Sequence, residues 1–243
     1  MGSLESLFDS GAIWQGRNPR TTSECSFPTQ IAKLDDALTG GWRTGELIEL
    51  LLSQPGIGEL QLLLPAMAKQ ASRDAWQLWI NPPAMPYAPA LSAAGLELSQ
   101  QLIVESRCLK KALWSAEQAL KSGCCSCVLL WLPDPRLQAS MTQLRRLQLA
   151  AEEGNALIFM LRPQWLGEQF TQLQSSPAAT RLSLSLMEDG LSVELFKRRG
   201  SWALKPFTVD LSTGLQLPQI TPQSTHQTCL QTSGADIIQG PWS

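Results

Sequence analysis

The chain has 243 residues, 44% of them hydrophobic, which is enough for one sizeable α/β core and excludes global disorder. Charged residues make up only 16% and the formal net charge is −2, which excludes a broadly basic surface that grips nucleic acid by counterion release, though not a local basic patch. His226 is the lone histidine, so a His-based triad or multi-His metal centre is not expected.

Residues 1–28 are rich in breakers and read as an N-terminal arm. MGSLESLFDSG carries acids and no apolar run, and no later stretch approaches the ~20 apolar residues of a membrane span, so a soluble, cytoplasmic protein without a signal peptide is expected. The core domain is expected over 29–212. From Thr29, TQIAKLDDALTGG predicts a helix with Ile31, Leu34 and Leu38 on one face, stopped by Gly40 and Gly41. GELIELLL, 45–52, predicts a buried strand, its apolar run LIELLL interrupted by one acid, ended by a Pro-Gly turn. GELQLLLPAMAKQAS then predicts a buried helix from Gly58, with Pro65 as a kink or near its first turns.

WQLWI, 76–80, predicts the next strand, followed by a Pro-rich loop, a short helix near 90–95 and the strand QLIVE. LKKALWSAEQALKSG, 109–123, predicts an amphipathic helix with Leu109, Leu113, Ala116 and Leu120 on its apolar stripe. CCSCVLLWL is a continuous apolar strand of the kind covered on both faces in a parallel sheet. The polar helix LQASMTQLRRLQLAAEEG and the strand ALIFML follow. RLSLSLMED, GLSVELFKRRG and WALKPFTVD alternate with period two, the mark of antiparallel strands with one wetter face. Residues 213–243 are polar and aperiodic and are expected to form a disordered tail.

The six cysteines (Cys124, Cys125 and Cys127 together, Cys25, Cys108 and Cys229 apart) lack the paired spacing of a four-ligand zinc site and are expected to be free thiols. Of nine tryptophans, Trp76, Trp79, Trp114 and Trp131 fall in expected core elements, whereas Trp14, Trp42, Trp165, Trp202 and Trp242 fall in loops or ends. With so little charge, this composition suits a protein that buries surface against partners.

The turn SQPGIGEL, 53–60, follows the first core strand, where a nucleotide-binding α/β protein carries its phosphate loop. In GxxxxGK[ST], backbone N–H groups cradle phosphates, the lysine meets their charge and the hydroxyl holds Mg²⁺. Here Ser53 stands at the first glycine, Gly56 lies within the loop, Gly58 is the second glycine, Glu59 replaces the lysine and Leu60 the hydroxyl residue. A carboxylate at that place repels a triphosphate, so no cofactor is expected and ATP binding is disfavoured. A plain strand-turn-helix remains the other reading of these residues.

TQIAKLDDALTGGWRTGELIEL, the helix ending KSG, CCSCVLLWL, the helix ending EEGN and ALIFML resemble the order of elements in RecA-family ATPases over roughly 29–211. That resemblance implies an α/β, RecA-like P-loop NTPase-type core, a mostly parallel sheet between helices with a C-terminal antiparallel extension. It also shows what is missing. Pro83 lies near the place of the family's catalytic Glu, and Leu132 ends the strand where an Asp supports Mg²⁺, with Asp134 reading as a helix N-cap. Catalytic residues are therefore none, no metal is expected, and a pseudo-ATPase is implied.

Within that superfamily IWQGR, LDDALTGGWRTGELIELL, PGIGELQLLLPAMA, SSPAATRLSLSL and GLSVELFKRRG resemble ImuA, an accessory family of damage-induced translesion synthesis. WQLWINPP through SCVLLWLPDP is similar to SulA, the damage-induced inhibitors of cell division, whose chains are shorter. The ImuA resemblance implies a non-catalytic scaffold working with an ImuB-like Y-family polymerase homologue and an error-prone C-family DNA polymerase, with RecA as a further candidate partner, in the bacterial cytoplasm and on the nucleoid when engaged. A SulA-like inhibitor that binds the tubulin-like division protein is the alternative, and a weak ATP-dependent DNA-repair regulator the second.

Lys197, Arg198 and Arg199 are the densest positive charge and read either as a solvated strand end or as a partner or phosphate contact. Arg162, Trp165 and Phe170 lie where RecA has its mobile DNA-binding loop, so stacking on single-stranded bases stands beside an ordinary surface connection. Arg145 and Arg146 read as the wet face of their helix.

Overall fold

A computed structural model describes residues 25–71, 75–132, 139–164, 176–188, 190–198 and 204–211. The expected arm up to residue 24, the last core residue 212, the whole expected tail 213–243, Asp134, Trp165, Phe170 and Arg199 lie outside the described residues.

The elements run β1 (Ser26–Phe27), α1 (Ala32–Leu38), β2 (Trp42–Arg43), β3 (Leu47–Leu52), α2 (Glu59–Gln70), β4 (Trp76–Ile80), α3 (Ala88–Ala93), β5 (Gln101–Val104), α4 (Leu109–Lys121), β6 (Cys125–Trp131), α5 (Met141–Gly154), β7 (Leu157–Pro163), β8 (Thr180–Met187), β9 (Gly190–Lys197) and β10 (Phe207–Val209). Among the described residues, eight strands join in the order β10-β9-β8-β3-β7-β6-β4-β5, and β1 pairs separately with β2. All pairs from β8 through β3 to β5 are parallel, while β9 and β10 add on as antiparallel neighbours. This is the mixed α/β class with a mostly parallel sheet and an antiparallel extension that the sequence predicts; the finer RecA-like identity of the core rests on resemblance alone.

Strand alternation divides the interior into two layers. Ile48, Leu50 and Leu52 of β3 face one side, with Leu62, Leu63, Ala66 and Met67 of α2, Leu34 of α1, and Leu182, Leu184 and Val193 of the C-terminal strands. Leu47, Val128, Leu130, Ile158 and Met160 face the other, beneath Ala112, Ala116 and Leu120 of α4 and Leu144 and Leu147 of α5. A Cβ on Gly154 would collide with the Leu120 carbonyl, so glycine at the end of α5 is what lets it close onto α4.

Several boundaries shift for local reasons. Helix α1 starts at Ala32 rather than Thr29, because the Asp35 carboxylate reaches back to accept from the Thr29 N–H at 2.6 Å and hydroxyl at 2.8 Å. Helix α5 starts at Met141 rather than before it, where Ser140 and Gln143 close a capping box. The tryptophan assignment changes more. Trp42, expected in a loop, is buried, its Nε1–H donating to the Leu62 carbonyl at 2.8 Å and its ring edge-on to Phe159 at 5.4 Å. Trp76 and Trp114, expected in the core, are exposed. Arg146 is exposed, as expected of a wet helix face, and from there also reaches the buried Glu117 carboxylate of α4 at 2.7 Å.

Candidate functional site

Strand β3, its turn and α2 place Ser53–Leu60 at the carboxyl end of the sheet, next to the ends of β7 and β8. Left-handed glycines shape the turn, Gly56 at φ 77° and Gly58 at φ 99°, the conformation that lets backbone N–H groups converge. An anion is already present there. Glu59, the first residue of α2, is buried, and its Oε1 accepts the Gly56 N–H at 3.1 Å. The helix start favours that negative charge, as it would favour a phosphate.

The rest of the turn is equally committed. Ile57 is buried in the apolar layer and Leu60 packs against it. The Ser53 N–H donates to the Leu184 carbonyl at 2.9 Å. Leu211 lies over Gly58, where any Cβ would collide with it. In the same layer Trp79 and Trp131 stack with ring centroids 5.8 Å apart, and Trp79 donates through Nε1 to Gln101 Oε1 at 2.8 Å. Leu132, which ends the apolar run just after β6, is buried. Among the described residues no group of three or more His, Cys, Asp or Glu is arranged to hold a metal ion.

The expected cationic residues meet the chain itself. Arg162 Nη1 lies 2.6 Å from Glu49 Oε1, and Arg181 Nε lies 2.6 Å from Glu49 Oε2. Glu49 is the one acid of the apolar β3 run, fully buried, and both arginines come to it by register: Arg181 is paired with Glu49 and Arg162 with Leu51, the next residue on that face. A shift in register between Arg181 and Leu182 also sets Lys197 opposite Arg181. The Lys197 ammonium donates to the Ser176 carbonyl at 2.9 Å. Burial pushes its pKa below the ordinary lysine value and the Arg181 charge adds to this, against an opposing pull from Glu49. Arg198 donates from Nη1 to the Ala37 carbonyl, one of the open acceptors in the last turn of α1.

Glu49 and Arg181 were missed in the sequence. The available signal was a single acid inside LIELLL, which burial makes intelligible only with a cation on a neighbouring strand.

Among the described residues no helix is long and apolar enough to cross a membrane. Comparison with known proteins gives a consistent result. A family model described as cell division inhibitor SulA matches residues 45–158, from the start of β3 into β7. The cell division inhibitor SulA of Klebsiella aerogenes is 32% identical over 149 residues, 60% of this chain and 82% of that protein. Its counterpart from Cronobacter turicensis (strain DSM 18703 / CCUG 55852 / LMG 23827 / z3032) is 32% identical over 130 residues, 53% of this chain and 75% of that protein. In Cronobacter sakazakii (strain ATCC BAA-894) the figures are 34% over 110 residues, 45% of this chain and 63%, under two thirds, of that protein.

These matches overturn the expected translesion-synthesis function together with its ImuB-like and C-family polymerase partners. The segments that favoured it, the entry before residue 45 and the sequence GLSVELFKRRG at 190–200, flank the matched stretch rather than lie within it. By the identity and coverage of its relatives, the chain belongs to the SulA family.

Proposed function

We propose that this protein is a damage-induced inhibitor of cell division that acts stoichiometrically in the bacterial cytoplasm by binding the tubulin-like division protein. The observation that carries the reading is the extent of the SulA match, residues 45–158, which takes in the strand, the turn with Glu59 and both helices of the α4–α5 layer. The protein is not an enzyme in this reading. Its core is a RecA-type scaffold whose phosphate turn is filled by Glu59 instead of a nucleotide, so binding supplies the whole effect.

The test is a titration of the purified chain into the tubulin-like division protein, with GTPase rate and sedimentable polymer as readouts. Both are expected to fall as the chain approaches equimolar ratio. Unchanged polymer and GTPase at a several-fold excess would sink the proposal. ATP hydrolysis by the purified chain, at a rate altered by Glu59→Ala, would sink its non-enzymatic part.

A further inference from the structure

A second surface stands apart from the filled turn. Helices α4 and α5 enclose a groove of about 450 Å³ on the outer side of their layer. Its floor includes Leu113 and Leu147, both buried. Its wall is Trp114, 59% exposed although it sits on a helix whose other apolar side chains are turned inward. Its rim carries Lys110, Lys111 and Arg146 against a single carboxylate, Glu117. That carboxylate is already occupied by Lys121 at 2.8 Å and Arg146 at 2.7 Å. Lys110 and Lys111 are exposed at the start of α4 and have no carboxylate partner among the described residues. In a chain whose formal net charge is −2, this is a local surplus of positive charge around an apolar slot.

We propose that the α4–α5 groove docks an acidic polypeptide segment of a partner protein, which sets a bulky apolar side chain against Trp114 and its carboxylates on Lys110 and Lys111. The volume lies within the range of roughly 300–1,000 Å³ typical of small-ligand pockets, room for an anchoring side chain and its neighbours. Charge complementarity at the rim selects the sign of the partner and the apolar floor selects the anchor. Single-stranded nucleic acid is the less favoured occupant. It is held by successive stacking aromatics along a basic track, and this groove offers one ring. The inference does not depend on which protein the chain inhibits.

The test uses the full chain and a fluorescein-labelled dodecapeptide with Asp-Glu flanks around a central Leu-Phe, read by anisotropy. Three controls accompany it: the same centre with lysine flanks, the same flanks with a Gly-Ser centre, and a labelled oligothymidine. The acidic Leu-Phe peptide is expected to bind at least ~tenfold more tightly than each control. Lys110→Glu with Lys111→Glu, and Trp114→Ala alone, should each weaken it by about tenfold or more. All three positions are exposed, and acids in the first turn suit the helix dipole, so the variants keep the fold, as unchanged far-ultraviolet dichroism will show. Bound peptide should also slow alkylation of Cys108, which lines the groove, while leaving exposed Cys124 unaffected. No binding, equal binding to the control peptides, tighter binding to oligothymidine, affinity the variants leave unchanged, or equal protection of both thiols would each overturn the proposal.

Discussion

Two carboxylates in this molecule, Glu49 on β3 and Glu117 on α4, each lie between two cations at nearly the same distances. Glu49 meets Arg162 and Arg181 at 2.6 Å each, and Glu117 meets Lys121 at 2.8 Å and Arg146 at 2.7 Å. Their surroundings differ. The Glu49 side chain is 0% exposed and the more open of its arginines 21% exposed, whereas the partners of Glu117 are 43% and 58% exposed. Water and salt reach the second trio far more than the first, so similar geometry carries unequal energy. The β3 region uses its charges to hold three strands together; the α4–α5 layer keeps cations at the surface, where a partner can meet them.

The largest test of that contrast is Glu49→Gln. It leaves two cations facing each other in the sheet interior, and should cost about 3–5 kcal/mol in urea unfolding. A loss below about 1 kcal/mol would place the Glu49 trio in the same class as a surface pair and erase the comparison.

Glu59 belongs between the two extremes. It is buried, yet its hydrogen bond comes from one N–H, that of Gly56, and the residue sits at the start of α2. Glu59→Ala should cost about 2 kcal/mol, the low end of the sum for one charge-assisted hydrogen bond and the helix-dipole term. A cost as large as that of Glu49→Gln would show the turn to be as tightly charge-bound as the sheet.

How legible this arrangement was in the sequence follows from which forces are local. The core strands, the α2 and α4 helices and the switch from parallel to antiparallel pairing were readable, because periodicity and turn residues are written along the chain. LIELLL, CSCVLLW and the alternating RLSLSL fall where they were expected. Arg162 was readable as a notable cation but not as the partner of Glu49, since that pairing depends on β3 lying between β7 and β8. Trp42 and Trp114 were exchanged for the same reason. Trp42 follows a Gly-Gly stop yet finds Phe159 across the layer, while Trp114 lies beside an apolar stripe yet stays mostly exposed. The loss of the lysine at Glu59 was plain in the sequence, but its bond to the Gly56 N–H needed the fold of the turn.

The smallest effect is expected at Glu117, and its pH dependence separates charge from packing. Burial pushes the Glu117 carboxyl up, and the hydrogen bonds from Lys121 and Arg146 outweigh it, leaving the group below its ordinary 4.5. A carboxyl depressed in the folded state contributes stability that is present above the unfolded-state value and lost as pH falls through the folded-state value. Glu117→Gln should therefore cost about 0.5–1 kcal/mol at neutral pH, given how exposed its partners are. The difference from the parent chain should shrink steadily below pH 4.5, and shrink at neutral pH when molar salt is added. A difference that survives both acid and salt would mean that the glutamate acts through packing between α4 and α5. The α4–α5 cations would then be less available to solvent than their exposure indicates, and the two trios would differ in degree only.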